Sequence, residues 1–299
     1  MRLIECVPNV SEGRNAAIVE RIVGALKATS GVTLLDWSAD PDHNRAVLTY
    51  VGEPEAVLEA TQGLCREAFA SIDMRNHEGA HPRIGAVDVI PFVPLRGVTD
   101  EEAVALSRRL GEWIGEQGVP VYYYQEAATR PERQSLPDVR RGEYEGLAAK
   151  LATPEGAPDA GPAEFNARSG ASIVGVRFPL IAFNVNLATP DVQIADRIAR
   201  AIRHSSGGLR YCKAMGVALS ERRIAQVSIN MVNFKKTPLH RVVEMVRSEA
   251  ARYGVNVVGS EIVGLVPNDA LLAAADFYLR LEDFNVSQVL ENRLAEPGE

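Results

Sequence analysis

Cysteine is scarce in this sequence: 3 residues in 299, namely Cys6, Cys65 and Cys212, widely spaced and odd in number. No CxxC pair occurs. That excludes a disulfide framework and a zinc ribbon, and the expectation is buried thiols in a reducing compartment, the cytoplasm. Aromatic residues make up only 6%. No apolar run approaches the about 18 residues that a membrane-spanning helix needs. The opening MRLIECVPNVSEGRN has an apolar stretch far too short for a signal peptide. No block of lysine and arginine appears, and the 32 basic residues are outnumbered by 39 acidic ones, a net charge of −7. The electrostatic footprint of a nucleic-acid binder is therefore missing. Also absent are a GxSxG nucleophile elbow, a P-loop and a GxGxxG fingerprint.

What is present is an ordinary globular composition, 46% apolar and 24% charged. Its length suggests about two domains of roughly 150 residues. In the first half, apolar periodicity predicts strands at Leu3–Val7, Val32–Trp37 and Arg45–Val51, and another within Gly85–Leu95. Helices are predicted at Asn15–Leu26 and Pro54–Ala70, with polar Ser38–Asn44 as a turn. The order is β-α-β-β-α-β, that of ferredoxin-like units. A helix at Thr99–Gln117 and a strand at Val119–Tyr124 decorate it. The second half repeats the order from Pro179 onward, closing on a strand within Val255–Val266 and two short helices. The fold class expected is mixed α/β (α+β), with two ferredoxin-like subdomains over residues 1–178 and 179–299. A three-layer α/β arrangement stays open at this point. Residues 129–169 lack sustained periodicity; apart from a helix candidate at Tyr144–Lys150 they read as a connector between the halves, counted with the first.

The densest chemistry lies in DMRNHEGAHPRIGAVDVIPFVP, residues 73–94. Its HEGAH superficially matches the zincin HExxH, which needs a regular helix to aim both histidines at one metal. Gly79 inside the motif and Pro82 after it argue against that helix, and no metal is expected. The better reading is a rigid loop presenting His81, a side chain able to carry protons both ways near neutrality. Arg83 beside it is suited to gripping a carboxylate. A histidine that merely packs the loop is the bland alternative. Asn9 and its neighbours in Pro8–Arg14 sit at a strand end, placed for a ligand or for a helix cap. Asp36–Asn44 offers Asp40, Asp42, His43 and Asn44, to orient a histidine or simply to turn the chain. Asn184 and Asn186 share one strand face, as do Gln226, Ser228 and Asn230 on another. Together they form either an amide-lined floor or a solvent face. The small residues of SGAS, from Ser169 to Ser172, let backbone approach a ligand closely.

Several long segments in one order carry a resemblance. They are IECVPNVSEGRN, DMRNHEGAHPRIGAVDVIPFVPL, SGASIVGVR, IAFNVNL, SSGGLRYCKAMGVAL, AQVSINMVNFKKTPLH and VVGSEIVGLVP, spanning Ile4 to Pro267. The chain resembles the formiminotransferase domain family. The resemblance implies two ferredoxin-like subdomains forming a groove between them, and a homodimer. It implies transfer of the formimino group from N-formimino-L-glutamate to N5 of tetrahydrofolate, the co-substrate, in histidine breakdown. The products are L-glutamate and 5-formiminotetrahydrofolate. The family's catalytic histidine lies in its H-P-R-x-G motif, here His81. Its folate-contacting segment resembles Phe165, Asn166, Arg168, Ser169, Gly170, Ala171, Ser172, Ile173 and Val174. On this view Asp40 supports His81 in catalysis, and Asn9, Arg83, Asn184, Asn186, Ser228 and Asn230 bind substrate. Neither a nucleic acid nor a membrane is expected as partner. A related folate enzyme using a formyl donor and a catalytically silent folate-binding protein are the alternatives.

Overall fold

The computed structural model describes residues 2–295, so the outer ends of the two expected subdomains lie outside the described residues. The chain divides into two compact units, Met1–Arg177 and Phe178–Glu299.

The first unit opens with β1 (Leu3–Cys6), β2 (Asn9–Val10), α1 (Ala16–Lys27), β3 (Val32–Asp40), β4 (Arg45–Gly52), α2 (Pro54–Ser71) and β5 (Val87–Arg96). It continues with α3 (Asp100–Glu116), β6 (Val121–Gln125), α4 (Leu136–Val139), α5 (Glu143–Leu151) and β7 (Ser172–Val176). The single strand predicted at Leu3–Val7 is split, because Pro8 cannot donate to the ladder; β2 resumes pairing with both β4 and β5. All seven strands form one sheet. β3 lies outside β4, β4 pairs with β1 and β2, and these pair with β5, all antiparallel. β7 and β6 then extend the sheet in parallel beyond β5.

β4 alternates partly exposed and buried residues, so Ala46, Leu48 and Tyr50 face the helices and the core. The apolar faces of α1 (Val19, Ile22, Val23, Leu26) and α2 (Leu58, Leu64, Cys65, Ala68) join that core. Asn15 caps α1 by accepting from the Ile18 N–H, and Thr99 with Glu102 forms a capping box on α3. Val87 to Val93 of β5 are buried on both faces of the sheet.

The second face of β5 is covered by the segment expected as a connector. Val139, Leu147 and Leu151 pack with Ile84, Val89, Tyr122, Tyr124, Ala171 and Ile173 into a separate core cluster. Residues 129–169 therefore do not merely link the halves. They fold back over the first unit's sheet and seal it.

The second unit contains β8 (Ile181–Leu187), α6 (Val192–Ile202), β9 (Cys212–Leu219), β10 (Ile224–Met231), α7 (Leu239–Ala251), β11 (Val257–Val263), α8 (Asn268–Leu279) and α9 (Leu290–Ala295). Its sheet has the order β11-β8-β10-β9, antiparallel throughout. Helices α6 and α7 pack Ile198, Ile202, Val242 and Val246 against Val185, Val227 and Ile229. The chain is thus a mixed α/β protein of two sheet-and-helix subdomains. No helix among the described residues is long and apolar enough to cross a membrane. The three cysteines are free and buried, and burial pushes the Cys6 and Cys212 thiols up to about 12.

Candidate active site

The histidine loop runs from a single 3-10 turn at Met74–Asn76 to the start of β5. No helix forms through HEGAH. Gly79 and Gly85 explain why this loop takes one path. A Cβ on Gly79 would lie 2.3 Å from the His43 carbonyl, and one on Gly85 would lie 2.2 Å from that of Ala171. Backbone comes so close at both points that only glycine fits.

The β3–β4 hairpin is the first of these neighbours. Asp40 and Arg45 face one another across it, with Pro41 to Asn44 as the turn and Asn44 in the left-handed region at φ 48. Asn44 stitches three loops. Its Oδ1 accepts from the Gly13 N–H, its Nδ2 donates to the Glu78 carbonyl, and its own carbonyl accepts from Nε2 of His77 at 2.8 Å. Ser11 donates its hydroxyl to the Gly85 carbonyl at 2.7 Å, so it braces the histidine loop and leaves the helix cap to Asn15.

His77 and His81 have different fates. Nδ1 of His77 accepts from Nε of Arg83 at 3.2 Å while Nε2 donates to Asn44, which fixes a neutral tautomer. Burial, and then the Arg83 charge, lower its pKa. With both nitrogens committed, His77 has no lone pair left for a metal. Among the described residues no group of three or more His, Cys, Asp or Glu side chains is placed to hold one.

His81 makes no hydrogen bond to a carboxylate or carbonyl among the described residues. Nη1 of Arg45 lies 3.3 Å from its Nδ1 and 3.5 Å from its Nε2. Nη1 is thus shared between the two ring nitrogens. Burial first, then the charges of Arg45 and Arg140, bring the His81 pKa down to about 3. The ring is therefore neutral at neutral pH.

Asp40 does not touch His81. Its Oδ2 pairs with Nδ1 of His43 at 2.8 Å, and its Oδ1 accepts from the backbone N–H groups of Asp42 and His43. Those bonds, led by the one from the His43 backbone, lower the Asp40 pKa. His43 stands edge-on to His81 with ring centroids 6.4 Å apart. The expected support of His81 by this carboxylate thus reaches only as far as His43, and the His81 pKa moves down where a carboxylate contact would have raised it.

Arg83 differs from its expected role too. It is buried, and its five N–H donors meet five acceptors: Nδ1 and the carbonyl of His77, both Glu145 oxygens, and Glu143. It ties the histidine loop to α5 and keeps no donor for a substrate. Arg45, which sequence reasoning missed, forms no ion pair among the described residues although it lies beside His81. Arg140, also missed, forms a buried ion pair with Asp88, whose Oδ1 accepts from the Ile84 N–H at 2.9 Å. Burial raises the Asp88 carboxyl even so.

The predicted folate segment sits directly behind the histidine loop. Ala171 donates its N–H to the Ile84 carbonyl, Ala86 to that of Ser169, and Met74 to that of Arg168. Asn166 Oδ1 gathers the N–H groups of Arg168 and Ser169, and Arg168 reaches the carbonyls of Phe69 and Ala70. Phe165 is exposed and packs on Tyr144, with ring centroids 5.5 Å apart. Gly170 occupies the left-handed region, while Ala171, Ser172, Ile173 and Val174 enter the buried strand β7. The segment therefore has an outer part, Phe165 to Arg168, and an inner part closed to solvent. Asn9 lies in β2, half-buried, donating to the Val7 carbonyl.

In the second unit, Gln226 lies opposite Asn186 and Ser228 opposite Asn184. Gln226 donates to Asn186 Oδ1 and to Glu261 Oε1, and Asn184 donates to the same Glu261 oxygen. Asn230 is exposed further along β10. The amide row is thus real as a patterned sheet face, and Glu261 is its unforeseen member.

A neutral, half-buried histidine set beside an arginine that closes no ion pair is an arrangement suited to acid–base chemistry. The family follows from comparison with known proteins. Residues 3–177 match the model of the formiminotransferase domain, N-terminal subdomain, and residues 182–295 match that of the formiminotransferase domain. A glutamate formimidoyltransferase of Streptococcus pyogenes serotype M1 is 50% identical over 98% of this chain and 99% of its own. One of Thermoplasma acidophilum is 46% identical over 98% of both. The formimidoyltransferase-cyclodeaminase of Rattus norvegicus is 47% identical over 93% of this chain but 52% of its own. The chain belongs to the formiminotransferase domain family.

Proposed function

We propose that this chain transfers the formimino group from N-formimino-L-glutamate to N5 of tetrahydrofolate, releasing L-glutamate and 5-formiminotetrahydrofolate. The observation that carries the reading is His81, neutral and held by no carboxylate or carbonyl among the described residues, within a chain similar end to end to glutamate formimidoyltransferases. Attack by N5 on the formimino carbon forms one C–N bond and leaves N5 with a proton too many. His81 takes that proton. It returns it to the glutamate nitrogen as the second C–N bond breaks, so the histidine ends neutral as it began. No oxidant, reductant or covalent enzyme intermediate is required. Much of the remaining acceleration comes from holding two substrates in register.

Folate is read as co-substrate along Phe165 to Arg168, with the inner residues Ser169 to Val174 supporting that edge. Asn9, Asn184, Asn186, Ser228 and Asn230 are carried as substrate-binding candidates. The strand orders support naming each subdomain ferredoxin-like, the first one extended by β6 and β7. A cytoplasmic homodimer belongs to the same reading, and light scattering on the purified protein tests its stoichiometry. The reaction itself is tested by incubating the protein with tetrahydrofolate and N-formimino-L-glutamate and assaying 5-formiminotetrahydrofolate. N-formyl-L-glutamate run in parallel distinguishes a formyl transferase. Product from the formimino donor alone is expected, and product only from the formyl donor contradicts the proposal.

A further inference from the structure

Arg45 lies beside His81 with Asp40 and Asp88 near enough to act on its charge but not paired with it. It forms no ion pair among the described residues, whereas Arg83 holds Glu143 and Glu145, and Arg140 holds Asp88. Its Nε is buried with no hydrogen-bond partner. Burial and the neighbouring Arg140 charge lower its pKa, while Asp40 and Asp88 act in the opposite direction without closing an ion pair to it. Stability alone favours removing such a charge or pairing it. A half-buried guanidinium with an orphaned Nε beside the histidine points to an anion that arrives with the substrate.

We propose that Arg45 binds the α-carboxylate of the N-formimino amino-acid donor and so selects that donor and seats its nitrogen against His81. This rests on the formimino-transfer reading above. The choice of carboxylate follows from distance. His81 must come within about 3 Å of the reacting nitrogen to exchange a proton with it. The α-carboxylate carbon is about 2.5 Å from that nitrogen, across two bonds. Arg45 Nη1 is 3.3 Å from Nδ1 of His81, so one short-range arrangement lets nitrogen meet histidine and carboxylate meet guanidinium. The side-chain carboxylate lies four bonds away and reaches beyond this corner. Arg140 adds positive potential, but its charge is paired with Asp88, whereas Arg45 closes no ion pair among the described residues.

The test uses the intact protein and three donors: N-formimino-L-glutamate, its α-carboxamide analogue, and its γ-carboxamide analogue. With the wild type, the α-carboxamide is expected to lower kcat/KM for donor roughly 10- to 100-fold, the range of a lost charge-assisted contact. With Arg45→Gln, the natural donor is expected to lose a similar factor, mainly in donor KM, with KM for tetrahydrofolate unchanged. The variant should no longer distinguish acid from α-amide, while its response to the γ-amide stays that of the wild type. Arg45→Lys should recover part of the discrimination. A wild type that uses the α-carboxamide as well as the acid overturns the assignment without any variant. So does an Arg45→Gln enzyme that still discriminates between them. If the wild type transfers no formimino group from the natural donor, the reaction assignment fails and this one falls with it. Transfer with the wrong discrimination removes the Arg45 assignment alone.

Discussion

Arg83 donates from Nε to Nδ1 of His77 at 3.2 Å, and this one bond separates the two histidines of HEGAH. It commits His77 to a neutral, structural role and leaves His81, four residues on, with Arg45 as its neighbour and no carboxylate or carbonyl partner among the described residues. The expected consequence is structural more than kinetic. Arg83→Met should cost roughly 2–4 kcal/mol, since it unties buried His77 and the join to α5. Glu145→Gln, whose carboxylate is largely exposed, should cost less than about 1 kcal/mol. Urea unfolding of both variants checks the ranking.

The acid side of the pH profile should be displaced. A solvent-exposed histidine base would give kcat/KM an acid limb near 6.5. The His81 pKa, held near 3 by burial, Arg45 and Arg140, should leave no His81 limb between about pH 5 and 7. Replacing Arg45 with Gln should move the titration of His81 upward, read from its ring carbon signal by NMR. Stability follows the same sign. The folded pKa is below the unfolded one, so the unfolded chain binds the proton more readily as pH falls. The contribution is complete above about 6.5 and is lost as pH drops through about 3.

Gly85 joins the histidine loop to the strand behind it, where a Cβ would strike the Ala171 and Ser169 carbonyls. Gly85→Ala is expected to destabilise by roughly 1–3 kcal/mol or more and to weaken tetrahydrofolate binding, because the loop and residues 165–171 must then part. Thermal melts and a folate titration check both. Unaltered stability would show that the close approach is not maintained.

Asp40 holds His43, not His81. Asp40→Asn should therefore reduce kcat less than about tenfold, well short of the loss expected from removing His81 itself. A loss as deep as that of a His81 variant would restore the direct partnership that the sequence suggests.

Much of the architecture could be read beforehand because it rests on local patterns. The alternation in β4, the Asn15 cap and the Thr99–Glu102 capping box are all visible in the one-dimensional chain. The absence of a helix around His81 was legible from Gly79 and Pro82. Arg45 was not, since a lone arginine opening a strand looks like any exposed edge charge. Only the hairpin that sets it opposite Asp40, and the loop that brings His81 over it, reveal its position. Asp40 was assigned to the wrong histidine because spacing cannot show that a tight turn folds His43 back onto it. Residues 129–169 looked like a connector because their short helices pack by only a few residues, such as Val139, Leu147 and Leu151. Only the helix at Tyr144–Lys150 registers in the sequence, and it is borne out as α5 (Glu143–Leu151).

The central claim is that His81 carries the proton between the two nitrogens. The most direct measurement is single-turnover transfer from N-formimino-L-glutamate by His81→Asn, alongside tetrahydrofolate binding to the same variant. The account expects transfer to fall by roughly 100-fold or more, in the range of lost general acid–base catalysis, with folate affinity within about twofold of wild type. Transfer at the wild-type rate would contradict it.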